Sequence, residues 1–435
     1  MKHWLKDQHS RSLLKNSSYL AISRIVAAVA SLATVSLAAH ALGVLLFGAL
    51  ILITSYAKAV SGIAKFQSWQ LVVRYGGRVV HGEVEDFKTS TGFAFALDAV
   101  SGVGGMLAAV AILPFIAKWV GIQPDQLWLA MLYCTLLPTM GAATPSGVLR
   151  ALDRFDLISW QSTATPIARV VLVTIAYVAN APFSAYVAAW YVTDLAGDLY
   201  GWFLGWRELK RRGLLEGIRP TLRPESLPGA WRFAIHVNLN ASVQAAWGPV
   251  ARLVVGGLLG AAGAALFRVA SSLSDSAGKP ADLLAKAFYP EVVRMDLTTK
   301  KPWKLMLRGT VAASAAALLM ILILLLAGKE IVSLLFGAEF LGAYEALVIL
   351  MVVPFIGVFS FPLPPMLYAL DRPDAPFKAR LIGSAVFFLS IAPLSWKMGV
   401  VGAAIAFVIG NVATVAVMIL QLQREYRRVR PPKPA

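Results

Sequence analysis

The fold class predicted is an all-α integral membrane protein of about twelve transmembrane helices in two pseudo-symmetric six-helix lobes. Three observations predict it. Hydrophobic residues make up 58% of the 435 residues. Only 14% are charged, where soluble domains carry roughly 25%. Long unbroken apolar runs recur along the whole chain. Water cannot be kept from so much apolar side chain in an aqueous fold, so lipid must be the solvent. A spanning helix uses about 20 apolar residues, and twelve use roughly 240 to 300, which leaves short loops. A transmembrane β-barrel alternates over segments of about 10 residues, and the unbroken runs exclude one.

The spans fall near 15–39, 46–73, 91–117, 126–148, 158–180, 184–206, 233–257, 263–290, 306–328, 344–368, 378–396 and 400–422. The tenth contains Pro354, Pro362, Pro364 and Pro365, and the eighth carries several charges. The start, Met1 to Ser12, is polar, and the first apolar stretch outruns a signal-peptide core, so it reads as a retained helix. Cys134 is the one cysteine and sits in an apolar run, which leaves no disulfide framework and no metal spacing.

Lysine and arginine set the orientation. One side receives Lys2, Lys6, Arg11 and Lys15; Arg74, Arg78 and Lys88; Arg150 and Arg154; and the run from Arg207 to Arg232. It also receives the cluster Arg294 to Arg308, then Arg372, Lys378 and Arg380, and the tail from Arg424 to Lys433. The other side receives only Lys118, Lys329 and Lys397. The positive-inside rule then predicts a multi-pass protein of the bacterial inner membrane with both termini cytoplasmic. The net charge of +17 is a topology signal and calls for no nucleic-acid partner. The expected domains are an N-terminal lobe (1–206), a basic cytoplasmic loop (207–232), a C-terminal lobe (233–422) and a basic cytoplasmic tail (423–435).

The halves echo each other. Ala57-Lys58, Ala64-Lys65 and Val72-Val73-Arg74 correspond to Gly278-Lys279, Ala285-Lys286 and Val292-Val293-Arg294. Upstream, Leu42-Gly43 leads to Phe47, and Leu259-Gly260 leads to Phe267. A duplicated six-helix unit with a central site is a recurring transporter plan.

Eight basic residues fall inside spans: Arg24, Lys58, Lys65, Arg169, Arg252, Arg268, Lys279 and Lys286. Five acids join them: Asp98, Asp194, Asp198, Asp275 and Asp282. Each costs about 2.5 to 3.5 kcal/mol at a helix centre, so such groups face a cavity or one another. In the eighth span Arg268, Asp275, Lys279, Asp282 and Lys286 fall on a stripe roughly 60° wide and about 27 Å long. In the second, Thr54, Lys58, Ser61, Lys65 and Trp69 share a face. Two cationic faces predict a positive cavity and an anionic cargo, and a pyrophosphate suits Lys and Arg.

Simpler roles stand beside these. Arg252 lies near a span end, where it can snorkel. Asp275 with Lys279, and Asp282 with Lys286, can be pairs within one helix. Asp194 and Asp198, one turn apart, can hold a proton or sodium ion, or can pair with Arg169. Trp119, Trp128, Trp202, Trp206 and Trp396 near span ends suit interfacial anchors. No enzyme constellation is present: His3, His9, His40, His81 and His236 are scattered, and no Gly-Lys-Ser/Thr phosphate loop occurs. No cofactor is expected, although a proton or sodium gradient can drive the cycle.

Several short motifs run in order along the chain. Arg24 opens the first helix, followed by Ala41-Leu42-Gly43 and Phe47-Gly48. Leu149-Arg150-Ala151-Leu152-Asp153-Arg154-Phe155 follows the fourth span, and Phe336-Gly337-Ala338-Glu339-Phe340 precedes the tenth. Gly399 to Gly402 precedes the twelfth. In these the chain resembles the polysaccharide repeat-unit flippases (Wzx type) of the multidrug/oligosaccharidyl-lipid/polysaccharide (MOP) exporter superfamily. The resemblance implies a MATE-like architecture of twelve helices in two lobes, a cationic central cavity and alternating access. It implies an undecaprenyl-pyrophosphate-linked oligosaccharide as cargo, for O-antigen, capsule or exopolysaccharide. Related lipid II flippases use basic residues of helices 1, 2 and 8, which match Arg24, Lys58 or Lys65, and Arg268 here. They usually have two further helices, for which this chain lacks room. Drug/cation antiporters of the superfamily have acid-dominated cavities, unlike the excess of basic over acidic residues in these spans.

The function expected is therefore a flippase. Arg24, Lys58, Lys65, Arg268, Lys279 and Lys286 bind the cargo, and Asp194 and Asp198 couple an ion. Membrane lipid surrounds it, and a glycan polymerase and a chain-length regulator are its expected protein partners. The rivals are a drug or metabolite antiporter and a non-transport scaffold of a glycan-assembly complex.

Overall fold

A computed structural model describes residues 8–77, 79, 82–293, 299, 301–370, 372 and 374–429. Of some helical residues only the backbone is described, among them Arg24 and 279–293. The described residues fold into helices. In order they are α1 (Gln8–Ala64), α2 (Ser68–Gly76), α3 (Val84–Ile116), α4 (Leu127–Cys134), α5 (Ala143–Ala151), α6 (Phe155–Val178) and α7 (Phe183–Arg211). There follow α8 (Ala230–Val293), α9 (Lys301–Phe336), α10 (Tyr344–Leu350), α11 (Val352–Ser360), α12 (Leu363–Ala369) and α13 (Asp374–Val429).

Three of these contain two limbs. A glycine at positive φ turns α1 at Gly43 (φ 63°, ψ 180°), α8 at Gly260 (φ 73°, ψ −174°) and α13 at Gly399 (φ 58°, ψ −136°). Side chains with a Cβ avoid this region, so glycine makes a one-residue turn between spans possible. Gly43 and Gly260 share one conformation, as the repeated Leu-Gly predicts. Five stretches are long and apolar enough to cross a membrane by length and composition: Ile25–Gly76, Val84–Val120, Trp247–Gly278, Ala338–Ala369 and Asp374–Tyr426. The helices α6, α7 and α9, with 24, 29 and 36 residues, also have the length. Large apolar side chains point outward, with Phe115 83% and Leu389 78% exposed, as lipid-facing residues do.

Three expected spans are broken. The second stops at Ala64 and resumes as α2 at Ser68. The fourth is interrupted between Cys134 and Ala143, where Pro138 removes a donor, Gly141 has φ 84° and Ala142 has φ 35°. The proline-rich tenth is α10, α11 and α12 in succession. The basic loop is shorter than its expected 207–232, because α7 continues to Arg211 and α8 begins at Ala230.

The chain divides into two compact units. One takes the chain as far as Leu42, with Ile53–Lys118 and Ile122–Val250; the other takes Gly43–Leu52, Trp119–Gly121 and Ala251 onward. In the first, Phe87, Ala94, Val72 and Val148 form a buried cluster. In the second, Phe361, Met366, Leu367 and Ala379 form another, and Phe47 meets Phe340 edge-on at 5.8 Å.

Candidate functional site

The interrupted helices create a chemical problem within the first unit. A broken span leaves backbone N–H and C=O groups without helical partners, and in lipid each must be satisfied from within the protein. Three charged side chains do this. Lys65, buried at the break after α1, donates from Nζ to the carbonyl of Met140 and, at 3.4 Å, to that of Pro138. Asp198 of α7 accepts from the Gly141 N–H at 3.1 Å. Asp98 of α3, 1% exposed, accepts from the Thr144 N–H at 3.0 Å, from the Thr144 hydroxyl at 2.7 Å and from the Ser68 hydroxyl. Ser68 and Thr144 open α2 and α5, and a carboxylate at a helix N-terminus is favoured by the helix dipole.

A second cluster adjoins this one. Asp194, one turn before Asp198, pairs with the Arg169 guanidinium of α6 and accepts from the Tyr133 hydroxyl. Arg169 also donates to the Thr193 hydroxyl at 2.9 Å and lies 5.5 Å from the Trp190 ring centroid. Lys58 is half-buried and close enough to Asp194 and Asp198 for their charges to interact. Among the described intramembrane residues of the first unit, cations and acids are thus matched: Lys58, Lys65 and Arg169 against Asp98, Asp194 and Asp198. The expected ion-coupling pair has two separate sets of partners, with the salt bridge to Arg169 on Asp194 and a backbone amide on Asp198.

The second unit differs. Arg252 and Arg268, both half-buried on α8, interact with each other and with Asp275, so among the described side chains of that helix two positive charges meet one negative. Asp275 itself is exposed. Of the remaining expected cargo residues, the side chains of Arg24, Lys279 and Lys286 lie outside the described residues.

Two ion-pair clusters went unread in the sequence. Arg154 donates from Nη1 to Glu208 at 2.7 Å and from Nη2 to Asp156 at 2.8 Å, and Arg212 donates from Nε to Glu208 at 2.8 Å. In the second unit Arg372 pairs with Glu425 and with Asp374, at 3.3 Å for the latter, and Lys378 holds Asp374 at 2.7 Å. Ala151-Leu152-Asp153-Arg154 recurs as Ala369-Leu370-Asp371-Arg372, each with an aspartate two residues on. That second copy was the available signal. The hydrogen bond from Arg154 pulls Asp156 below the usual carboxylate range. Burial opposes ionisation of Glu208, but hydrogen bonds and charge from Arg212 and Arg154 hold it low as well. Asp374, tied to Lys378 and Arg372, falls to about 2.

No protein-family model matches the chain. Its structure is similar to an inward-facing multidrug resistance MATE family transporter of the MOP superfamily, with a TM-score of 0.72 at 16% identity over 93% of this chain and 94% of that one. It is similar also to the lipid II flippase MurJ in an inward closed conformation, with a TM-score of 0.72 at 11% identity over 94% of this chain and 89% of that one. At such identities the likeness establishes the fold: a MATE-like, all-helical membrane architecture. Sequence reaches further in one case, being 38% identical over 348 residues to the inner membrane protein YghQ of Escherichia coli (strain K12), across 79% of this chain and 98% of that protein. The chain therefore belongs to the family of the inner membrane protein YghQ, built on the fold of the MOP-superfamily transporters.

Proposed function

We propose that the protein is a flippase that carries an undecaprenyl-pyrophosphate-linked oligosaccharide repeat unit from the cytoplasmic to the periplasmic leaflet. The observation that carries this reading is the Arg252–Arg268 pair on the two limbs of α8, where, among the described residues that interact with it, positive charge exceeds the acid Asp275. Such an excess is costly in lipid, and an anionic cargo lowers that cost. A pyrophosphate also suits guanidinium groups, which grip it with paired hydrogen bonds. The fold shared with a lipid II flippase supports a lipid-linked cargo. In this reading 1–206 and 233–422 are the two lobes, and 207–232 and both termini are cytoplasmic. The lobes rock around a cationic cavity to which Arg24, Lys58, Lys65, Arg268, Lys279 and Lys286 contribute. Asp194 and Asp198 couple the cycle to a proton or sodium gradient, and Asp198, held by a backbone amide where Asp194 is held by Arg169, is the member that exchanges the ion. A glycan polymerase and a chain-length regulator act on what is delivered.

The test is transport of a fluorescent polyprenyl-pyrophosphate sugar in proteoliposomes, with surface glycan followed in a deletion strain. Arg268→Gln and Arg252→Gln are expected to lower both by tenfold or more at normal protein level. Undiminished transport by both variants overturns the reading. One observation favours a second reading, a drug or metabolite antiporter: three acids, Asp98, Asp194 and Asp198, sit together in the first unit. Uptake of a cationic dye that survives Arg268→Gln but not Asp198→Asn decides for the antiporter.

A further inference from the structure

A pocket of about 360 Å³ opens in the first unit among α3, α5, α7 and the loop after α7. Its walls include Phe95, Val148, Trp202, Trp206 and Ile218, with Thr91 beneath. The Thr91 hydroxyl is buried, without a hydrogen-bond partner among the described residues, and the walls around it are mostly apolar side chains. Phe95 and Trp202 stand edge to face at 5.5 Å. The roof is fixed in place: a Cβ at Gly92 would come 2.1 Å from the Arg219 carbonyl oxygen, so loop and helix touch backbone to backbone. The space is therefore framed by rigid parts and does not close by collapse.

The mouth is basic. The Lys210 ammonium is exposed and lies 5.3 Å from the ring centroid of the wall residue Trp206. Two acids near it are engaged, Glu208 by Arg154 and Arg212, and Glu85 by Lys88 at 3.6 Å. An apolar slot walled by tryptophans, with a lysine over one of them, matches a lipid at the membrane surface: tail inside, acidic headgroup outside.

The second unit repeats the arrangement. A cavity of about 420 Å³ lies among α9, α12 and α13, lined by Trp303, Thr310, Pro362 and Tyr426. Trp303 and Tyr426 pack at 4.4 Å. By the repeated Ala-Leu-Asp-Arg, α5 and α12 are equivalent, as each leads into one copy. A feature kept in both copies of a duplicated unit is a built feature.

We infer that the first unit holds the acyl tail of an anionic bilayer phospholipid in the pocket under Trp206, with its headgroup on Lys210 and its neighbours. This lipid is a resident one, apart from the cargo and from the residues proposed to bind it. The test uses the full chain in nanodiscs of phosphatidylglycerol and phosphatidylethanolamine at equal mole fraction, released into native mass spectrometry. Retained phosphatidylglycerol is expected to exceed phosphatidylethanolamine. Lys210→Gln is expected to weaken its retention about fivefold, the effect of one surface charge on an anionic lipid. Ile218→Trp, which fills the slot from the loop, is expected to lower the number retained by one, with the thermal midpoint unchanged. No preference for phosphatidylglycerol in the wild type overturns the inference. So does full retention by both variants at wild-type stability. If Ile218→Trp unfolds the chain, Lys210→Gln decides by itself, being an exposed residue outside the packing.

Discussion

Arg154 reaches across from the start of α6 to place its guanidinium 2.7 Å from the carboxylate of Glu208, which is 4% exposed at the end of α7. Arg372 does the same for Glu425 in the second unit. Each contact ties the entry of one span to the exit of another at the basic end of its unit. The salt bridge is buried on the acid side, and removing the acid takes the carboxylate partner from Arg212 and leaves Arg154 paired with Asp156. Glu208→Gln is expected to destabilise the protein by about 3 kcal/mol, read as a lower thermal midpoint in detergent.

The same carboxylates give a pH dependence. Asp156 and Glu208 are held below their ordinary range by arginine partners. A depressed carboxylate stabilises the fold above its unfolded pKa, and that contribution disappears as pH falls through the folded value. Thermal stability is expected to be flat from pH 6 to 8 and to decline below about pH 4. Glu208→Gln is expected to have a shallower acid limb than the wild type. An identical limb in both removes Glu208 from the account.

Asp98 collects two hydroxyls and an amide at the starts of α2 and α5. Asp98→Ala is expected to cost about 3 kcal/mol or more, because hydrogen bonds to a charged group contribute about 1.5 to 3 kcal/mol each. Low yield of folded protein with loss of transport in proportion is the expected result. Normal yield with selective loss of transport would move Asp98 from a structural role to the cargo path.

Lys58 on α1 and Lys65 just past its end both interact with Asp198 but differ in their other partners. The Lys65 ammonium is engaged by two backbone carbonyls; Lys58 interacts with Asp194 and Asp198. Lys65→Gln is therefore expected to lower both stability and transport, while Lys58→Gln lowers transport alone. Protein level and transport measured side by side separate the two outcomes.

Gly43 and Gly260 sit where a Cβ is strongly disfavoured. Gly43→Ala and Gly260→Ala are each expected to cost about 1 to 3 kcal/mol, while Gly104→Ala, in open space on α3, is expected to cost nothing measurable. Thermal midpoints of the three variants check the ranking.

The helical class and the turning Leu-Gly pair were legible because hydropathy and a repeated motif act locally. Breaks in the second and fourth spans were less so. Pro138 and Gly141 carried a signal for one of them. Nothing local marks Lys65-Phe66-Gln67, where the break depends on Asp98, distant in sequence, receiving Ser68. Helical periodicity put Lys58 and Lys65 on one face, but it could not reveal that acids and carbonyls of α3, α7 and the 135–142 segment meet that face. In the second unit Arg268 and Asp275 were legible as one stripe, but Arg252, on the other limb of α8 beyond the Gly260 turn, was read as able to snorkel, and its interaction with Arg268 was not legible.

The single-glycine turns have a consequence for how the chain tolerates insertions. Where two spans meet at one residue there is no slack, and each added residue rotates the next helix by about 100°. One residue inserted after Gly260 turns Arg268 and Asp275 about a quarter of the way around their axis, away from their present neighbours. Tags, epitopes and permuted termini therefore belong in the 212–229 segment, which has several residues to absorb the phase, and not at Gly43, Gly260 or Gly399.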